Sequence, residues 1–267
     1  MNKNTKSQDG QITSRTDGHV TWICLDNPAR MNALNSAMWK ILPERIADAE
    51  KNKKVRAIVL HGAGERAFSA GADISEFGLV RTGNAAMRYD ELNHAAFNSV
   101  MNCAKPTIAM VQGFCMGGGM EIALCCDLRL STNDAIYSIP AAKLGIGYNP
   151  RWIRPLLSAL SAAQAKEVLF TGRRFTADEA LQMGMVSRLC EPETLEKETS
   201  EMAQMIAENA PLSVYAAKRC IDEFLNSPQD PDMAALDKLI EACFESEDYA
   251  EGRTAFGEKR KPVFQGK

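Results

Sequence analysis

The sequence predicts an α/β core followed by a helical C-terminal part, and three observations lead there. First, VRAIVLHG (55–62) and PTIAMVQG (106–113) are short, almost wholly apolar runs, the pattern of strands buried on both faces. Second, the segments between such runs carry apolar residues at helical spacing, as in SAMWKILPERIADAEK (36–51). Third, the character changes near residue 150, after which only MVSRLC (185–190) reads as a strand. A chain of 267 residues is long enough for one large α/β domain or for a core with a helical appendage.

Taken in order, residues 11–26 read as a hairpin, with Asp17-Gly18 as the turn and alternation in HVTWICL. NPARMNALN is a loop leading to the first helix, for which Ser36 is the expected N-cap. The strand at 55–62 runs into GAGERAFSAGADISEF, a Gly/Ala-rich loop, and residues 84–103 suit a helix. The strand at 106–113 is followed by the Gly117-Gly118-Gly119 turn and a short helix, MEIALCC, and then by two strands in DLRLSTND and AIYSI. Helices are expected at roughly 152–171, 176–183, 193–209, 211–226, 231–244 and 247–260. The strand–strand–helix rhythm of the first half hints at repeated ββα units. The expected division is a polar, frayed tail at 1–10, an α/β core at 11–195 and a helical region at 196–267.

Composition narrows the function classes. A net charge of −3 gives no basic footprint for nucleic acid. Eight cysteines occur, but no CxxC pair, and only three histidines accompany them. Most of the cysteines lie in apolar runs, so reduced, core-packed thiols are expected rather than a disulfide or zinc framework. The N-terminus MNKNTKSQDG lacks the apolar stretch of a secretory signal, and no run approaches the ~18 apolar residues of a membrane span. A cytoplasmic, soluble chain is the expectation.

Two loops bear chemistry. In FSAGAD, Gly71 permits a tight turn and leaves the N–H of Ala72 open; in GFCMGGGME, the glycines do the same for Gly118. Two such donors aimed at one point would form an oxyanion hole, each contributing ~3–4 kcal/mol to a transition state. Gly118 also opens a helix, where the dipole favours negative charge. Either loop alone also fits a tight connection with no further role. Other readings fail on particulars: no GK[ST] ending for a phosphate loop, no GxGxxG in HGAGERAF, and no G-x-S-x-G elbow. Glu121 stands out, because its helix is otherwise apolar all round and such a helix is buried. It is either a capping residue with access to water or a general base in a closed pocket beside Gly118.

The combination of LDNPARMNALN, AFSAGADISEF, GFCMGGGMEIALCCD and AFGEKRKPVF, in this order across residues 11–264, resembles the enoyl-CoA hydratase/isomerase (crotonase) superfamily. The resemblance implies a spiral of ββα units, a C-terminal helical trimerisation region and a hexamer built as a dimer of trimers. It implies an acyl-CoA thioester substrate, with coenzyme A part of the substrate and no separate cofactor or metal. By position in the motifs, Ala72 and Gly118 correspond to the two oxyanion donors and Glu121 to the first of two hydratase glutamates. Arg30, Ala33, Ala70, Asp73 and Ile74 fall where the family contacts CoA. Lys259 falls where a basic residue helps hold the nucleotide, often that of a neighbouring subunit; a solvated helix end explains it equally well.

The family's second glutamate lies twenty residues after the first, and here that position is Ala141, in IPAAKLGIG. The two acids normally hold one water between them. One delivers its oxygen to the β-carbon, and the other handles the proton at the α-carbon. A chain with one acid should be a poor hydratase, since such groups contribute ~10²–10⁴-fold. Two accounts fit: a natural branch that lost the acid, or a hydratase whose glutamate has been replaced, which the otherwise intact AKLGIGYNP favours. With the acid restored, the chain most resembles the methylthioacryloyl-CoA hydratase branch, which also hydrolyses the thioester. The competing readings are an isomerase or decarboxylase using Glu121 alone, and a non-catalytic CoA- or RNA-binding relative. GIGYNPRW departs from the usual Gly-rich run, and its Tyr148, Asn149 and Trp152 are bulky enough to shape an acyl pocket.

Overall fold

The computed structural model describes residues 10–80 and 83–267, so all but the last residue of the expected tail lies outside the described residues. In chain order the elements are β1 (Gln11–Asp17), β2 (Val20–Asp26), α1 (Ser36–Lys51), β3 (Ala57–Gly62), β4 (Ala67–Ser69), α2 (Phe77–Val80) and α3 (Gly83–Met101). Next come β5 (Thr107–Val111), β6 (Phe114–Met116), α4 (Gly118–Cys125), β7 (Leu128–Thr132), β8 (Ile136–Ser138), α5 (Ile153–Ala159) and α6 (Ala162–Thr171). The chain continues through β9 (Phe175–Thr176), α7 (Ala177–Met183), β10 (Arg188–Cys190), α8 (Leu195–Glu208), α9 (Pro211–Asn226), α10 (Met233–Phe244) and α11 (Glu247–Glu258).

Two sheets carry the fold. The larger has the order β1-β2-β3-β5-β7-β10, parallel except for the β1–β2 hairpin. The smaller has the order β4-β6-β8-β9, parallel until β9. Each of β3, β5 and β7 is followed by a strand of the small sheet, so the chain winds as a spiral of strand pairs, with helices after each pair.

The continuous apolar run of β3 follows from this layering. Ile58 and Leu60 face the main core with Trp39, Leu42 and Phe97, while Ala57 and Val59 face a second cluster. Helix α8 closes that second face with Leu195, Ala203 and Ala207, placed four or eight residues apart on one stripe.

The element predictions hold in outline, with refinements. The hairpin turn falls on Gly18-His19 rather than Asp17-Gly18. The strand expected at 185–190 shortens to Arg188–Cys190, and Phe77–Val80 and Phe175–Thr176 are additional elements. Asn35, not Ser36, is the N-cap of α1, accepting the Met38 N–H at 2.9 Å. Ser36 instead gives its N–H and its hydroxyl to Glu76, at 2.9 and 2.8 Å. The expected helix over 152–171 is two helices, because Leu160 is extended and Ser161 restarts the chain with a capping box. The strands AFS and FCM, read as loop, are three residues each, too short to display an alternation. All eight cysteines are free.

Candidate active site

The small sheet explains why distant loops meet. Strands β4, β6 and β8 are adjacent and parallel, so the chain leaves all three at the same sheet edge. Residues 70–72 follow β4, 117–118 follow β6 and 139–141 follow β8, and all of these loops line one pocket of about 130 Å³. Carboxyl ends of parallel strands are the usual place for a ligand site in α/β folds.

Gly71 has φ +91°, a conformation an L side chain rarely adopts. A Cβ there would lie 2.7 Å from the Met116 carbonyl oxygen and 3.0 Å from the Gly118 nitrogen, so the two glycine loops touch. Amides on either side are engaged: Gly71 N–H on Ser69 Oγ at 3.0 Å, Asp73 N–H on the Leu34 carbonyl at 2.9 Å, and Gly117 N–H on the Ser138 carbonyl at 2.7 Å. Among the described residues, no hydrogen bond takes the N–H of Ala72 or of Gly118. Gly118 is also the first residue of α4, where the helix leaves its amides unpaired. Gly119 lets α4 sit directly on β4, because a Cβ there would fall 2.6 Å from Ser69.

Glu121 is 1% exposed and does not cap its helix. The Tyr148 hydroxyl donates to its Oε2, while its Oε1 is buried without a partner among the described residues. Burial raises the carboxyl to about 8, against the lowering effect of the Tyr148 bond. Burial, and then the Glu121 charge, push Tyr148 well above an ordinary phenol. Ala141 begins a short 3₁₀ turn and lines the same pocket with a methyl group, where an acid was sought.

The rest of the lining is largely aromatic and aliphatic, from Trp39, Phe77, Phe97, Ile146, Tyr148 and Trp152. Trp39 and Phe97 lie on predicted helices, but nothing in the sequence distinguishes them from ordinary core. The buried Asn93 Nδ2 and Trp152 Nε1 also lack partners among the described residues, and both side chains border the pocket.

The residues assigned to CoA separate. Ala70 and Ile74 line the pocket, and Ile74 is 71% exposed. Arg30 and Asp73 pair with each other at 2.8 Å, and Ser75 joins both. Burial works to raise the Asp73 carboxyl, but the Ser75 bonds and the Arg30 charge outweigh it and hold it low. Ala33 is buried and its carbonyl accepts from Asn27 Nδ2 at 2.8 Å. Lys259 is an exposed left-handed residue ending α11, outside the residues that line the pocket.

Fold and site together define a class: a spiral α/β protein in which two backbone amides without a partner among the described residues share a pocket with a buried carboxyl, an arrangement suited to an anionic oxygen and a mobile proton. The family model for enoyl-CoA hydratase/isomerase matches residues 15–267, and the chain belongs to that family. It is 36% identical over 245 residues to the short-chain-enoyl-CoA hydratase of Clostridium acetobutylicum, covering 92% of this chain and 94% of that one. It is 33% identical over 259 residues to the (E)-benzylidenesuccinyl-CoA hydratase of Thauera aromatica, covering 96% and 99%. Among solved structures, an enoyl-CoA hydratase/carnithine racemase from Magnetospirillum magneticum superimposes with a TM-score of 0.92 at 35% identity, covering 96% of each chain. The crotonase fold expected from the motifs is therefore present.

Proposed function

We propose that this chain is a hydratase of short 2-enoyl-CoA thioesters, of the methylthioacryloyl-CoA hydratase type with accompanying thioester hydrolysis, and that Ala141 impairs it. The observation that carries the reading is that Ala72 and Gly118, whose amides have no partner among the described residues, line one pocket with buried Glu121. In this reading the two amides hold the thioester oxygen as it gains charge. Water adds its oxygen to the β-carbon, and the α-carbon takes a proton. Glu121 handles one side of that exchange, and the side chain at 141 should handle the other. The pocket volume of about 130 Å³ supports a short acyl group, being small beside the 300–1,000 Å³ of sites that enclose larger ligands.

Coenzyme A arrives as part of the substrate, not as a resident cofactor. Ala70 and Ile74 contact it at the pocket mouth, with Ala33 and the Arg30–Asp73 pair alongside and Lys259 reaching the nucleotide. Exposed Phe244 and Phe256 in the C-terminal helices support assembly as a hexamer, a dimer of trimers. No helix among the described residues is long and apolar enough to cross a membrane, which is consistent with the cytoplasmic location we infer. The methyl group at 141 favours one other reading, an isomerase or decarboxylase that works with Glu121 alone.

The deciding experiment is Ala141→Glu, assayed by the loss of enoyl-thioester absorbance with crotonyl-CoA. The hydration rate should rise by roughly two to four orders of magnitude, with little change in affinity. A variant no faster than the parent means that the pocket is not arranged for water, and the isomerase or decarboxylase reading takes its place.

A further inference from the structure

Tyr148 is held as firmly as the carboxylate it touches. Its ring meets Trp152 edge-on, with centroids 5.6 Å apart; Trp152 meets Phe97 at 5.6 Å, and Phe97 meets Trp39 at 5.5 Å, all within 10° of perpendicular. Trp39 is anchored in turn by its indole N–H on the Tyr89 hydroxyl at 3.0 Å. The next residue, Asn149, donates to Asp90 at 3.3 Å and accepts the Arg151 N–H at 3.0 Å. The loop after the 3₁₀ turn at Ala141–Leu144 is thus pinned at the phenol and at the residue that follows it.

A carboxyl group that rotates freely presents either oxygen to a reactant. Here one oxygen of Glu121 is taken by the Tyr148 hydroxyl and the other is buried, with no partner among the described residues. We propose that Tyr148 is a positioning residue: it occupies Oε2 of Glu121, so that Oε1 alone is presented to the reacting water or the α-carbon proton, and it supports the ionised carboxylate. The inference rests on Glu121 acting as the base or acid of the reaction. Tyr148 from its loop is the titratable group that acts on Glu121, and Cys125 from α4 is a neighbour on which the Glu121 charge acts. Both are pushed up by burial and stay protonated over the working range, so a change in the Glu121 titration reports on this hydrogen bond.

Tyr148→Phe tests the proposal, because it keeps the ring against Trp152 and removes only the donor. In the Ala141→Glu background, kcat for crotonyl-CoA hydration should fall about tenfold to a hundredfold while KM changes less than about threefold, as for a lost hydrogen bond to a charged group. The limb of the pH–rate profile that titrates Glu121 should move up by about one unit, since the lost donor had favoured the charged form. Carboxyl ¹³C NMR of the Ala141 protein should show the same upward move of Glu121 without any turnover. Should Tyr148→Phe fold poorly, 3-fluorotyrosine at 148, a stronger donor of nearly the same shape, should move the Glu121 resonance titration downward. An unchanged kcat and an unmoved titration overturn the positioning role while Glu121→Gln still abolishes activity. If Glu121→Gln leaves activity intact, the reading of Glu121 itself fails instead.

Discussion

Replacing Glu121 with Gln should make the protein less sensitive to rising pH, because the folded chain holds a buried carboxyl that the unfolded chain would expose. Burial lifts this carboxyl from 4.5 to about 8 even with Tyr148 pulling it down. Between those values the native state keeps a proton that the unfolded state has released. The proton's contribution to stability is therefore complete below about pH 4.5, declines as pH rises towards about 8 and is lost above it. The span is about 3.5 units, and at about 1.4 kcal/mol per unit it sets a ceiling of about 5 kcal/mol. Local relaxation and water entry reduce such a figure, so about 2–4 kcal/mol is the expected change. Gln has the shape of Glu and still offers Tyr148 an amide oxygen, but it does not titrate. The assay is urea unfolding at pH 5 and pH 8.5, at one fixed protein concentration, for both proteins. The loss of stability between the two pH values should be smaller in Glu121→Gln by that amount. Parallel losses would mean that Glu121 is hydrated in solution and not the closed, raised-pKa group of the structure.

Two further expectations test the frame around the site. Gly71→Ala forces a side chain into φ +91° and sets a Cβ 2.7 Å from the Met116 carbonyl oxygen. It should cost about 1–2 kcal/mol in conformation alone and, by displacing the Ala72 and Gly118 amides, lower kcat in the Ala141→Glu background by ~10²–10³-fold; a stable variant of normal rate argues against paired amides. Lys218 is buried, and its ammonium bonds Asp127 Oδ2 at 2.7 Å and the Lys105 carbonyl at 3.2 Å. Lys218→Met removes the cation, but Asp127 is partly exposed and keeps the Thr107 N–H and hydroxyl bonds. The cost should therefore be about 1–2 kcal/mol by denaturant titration, with the shape of the pH–rate profile unchanged.

Local order determines much of this molecule. The apolar run of β3, the stripe of α8 and the β1–β2 turn, which falls on Gly18-His19 one residue past the expected Asp17-Gly18, are periodicities and propensities of neighbouring residues, so each is legible without a fold. Glu121 was legible for a related reason: one acid in an otherwise apolar helix of eight residues has nowhere to go but inside. The positive φ of Gly71 likewise belongs to the residue type that permits it. What joins these features was decided by tertiary structure. Ala72, Gly118 and Ala141 share a pocket only because three strands of three residues each, tens of positions apart, lie side by side in a second sheet. Such strands are too short to carry a pattern, and adjacency between them is a property of the packed sheet. Side-chain partners were decided at the same level. Arg30 and Asp73, read as separate contacts for CoA, are 43 positions apart and hold each other. The hydroxyl of Tyr148, 27 positions from Glu121, is buried against its carboxylate. A charge or a phenol announces that it needs a partner, but which partner it meets depends on distances that only the folded chain sets.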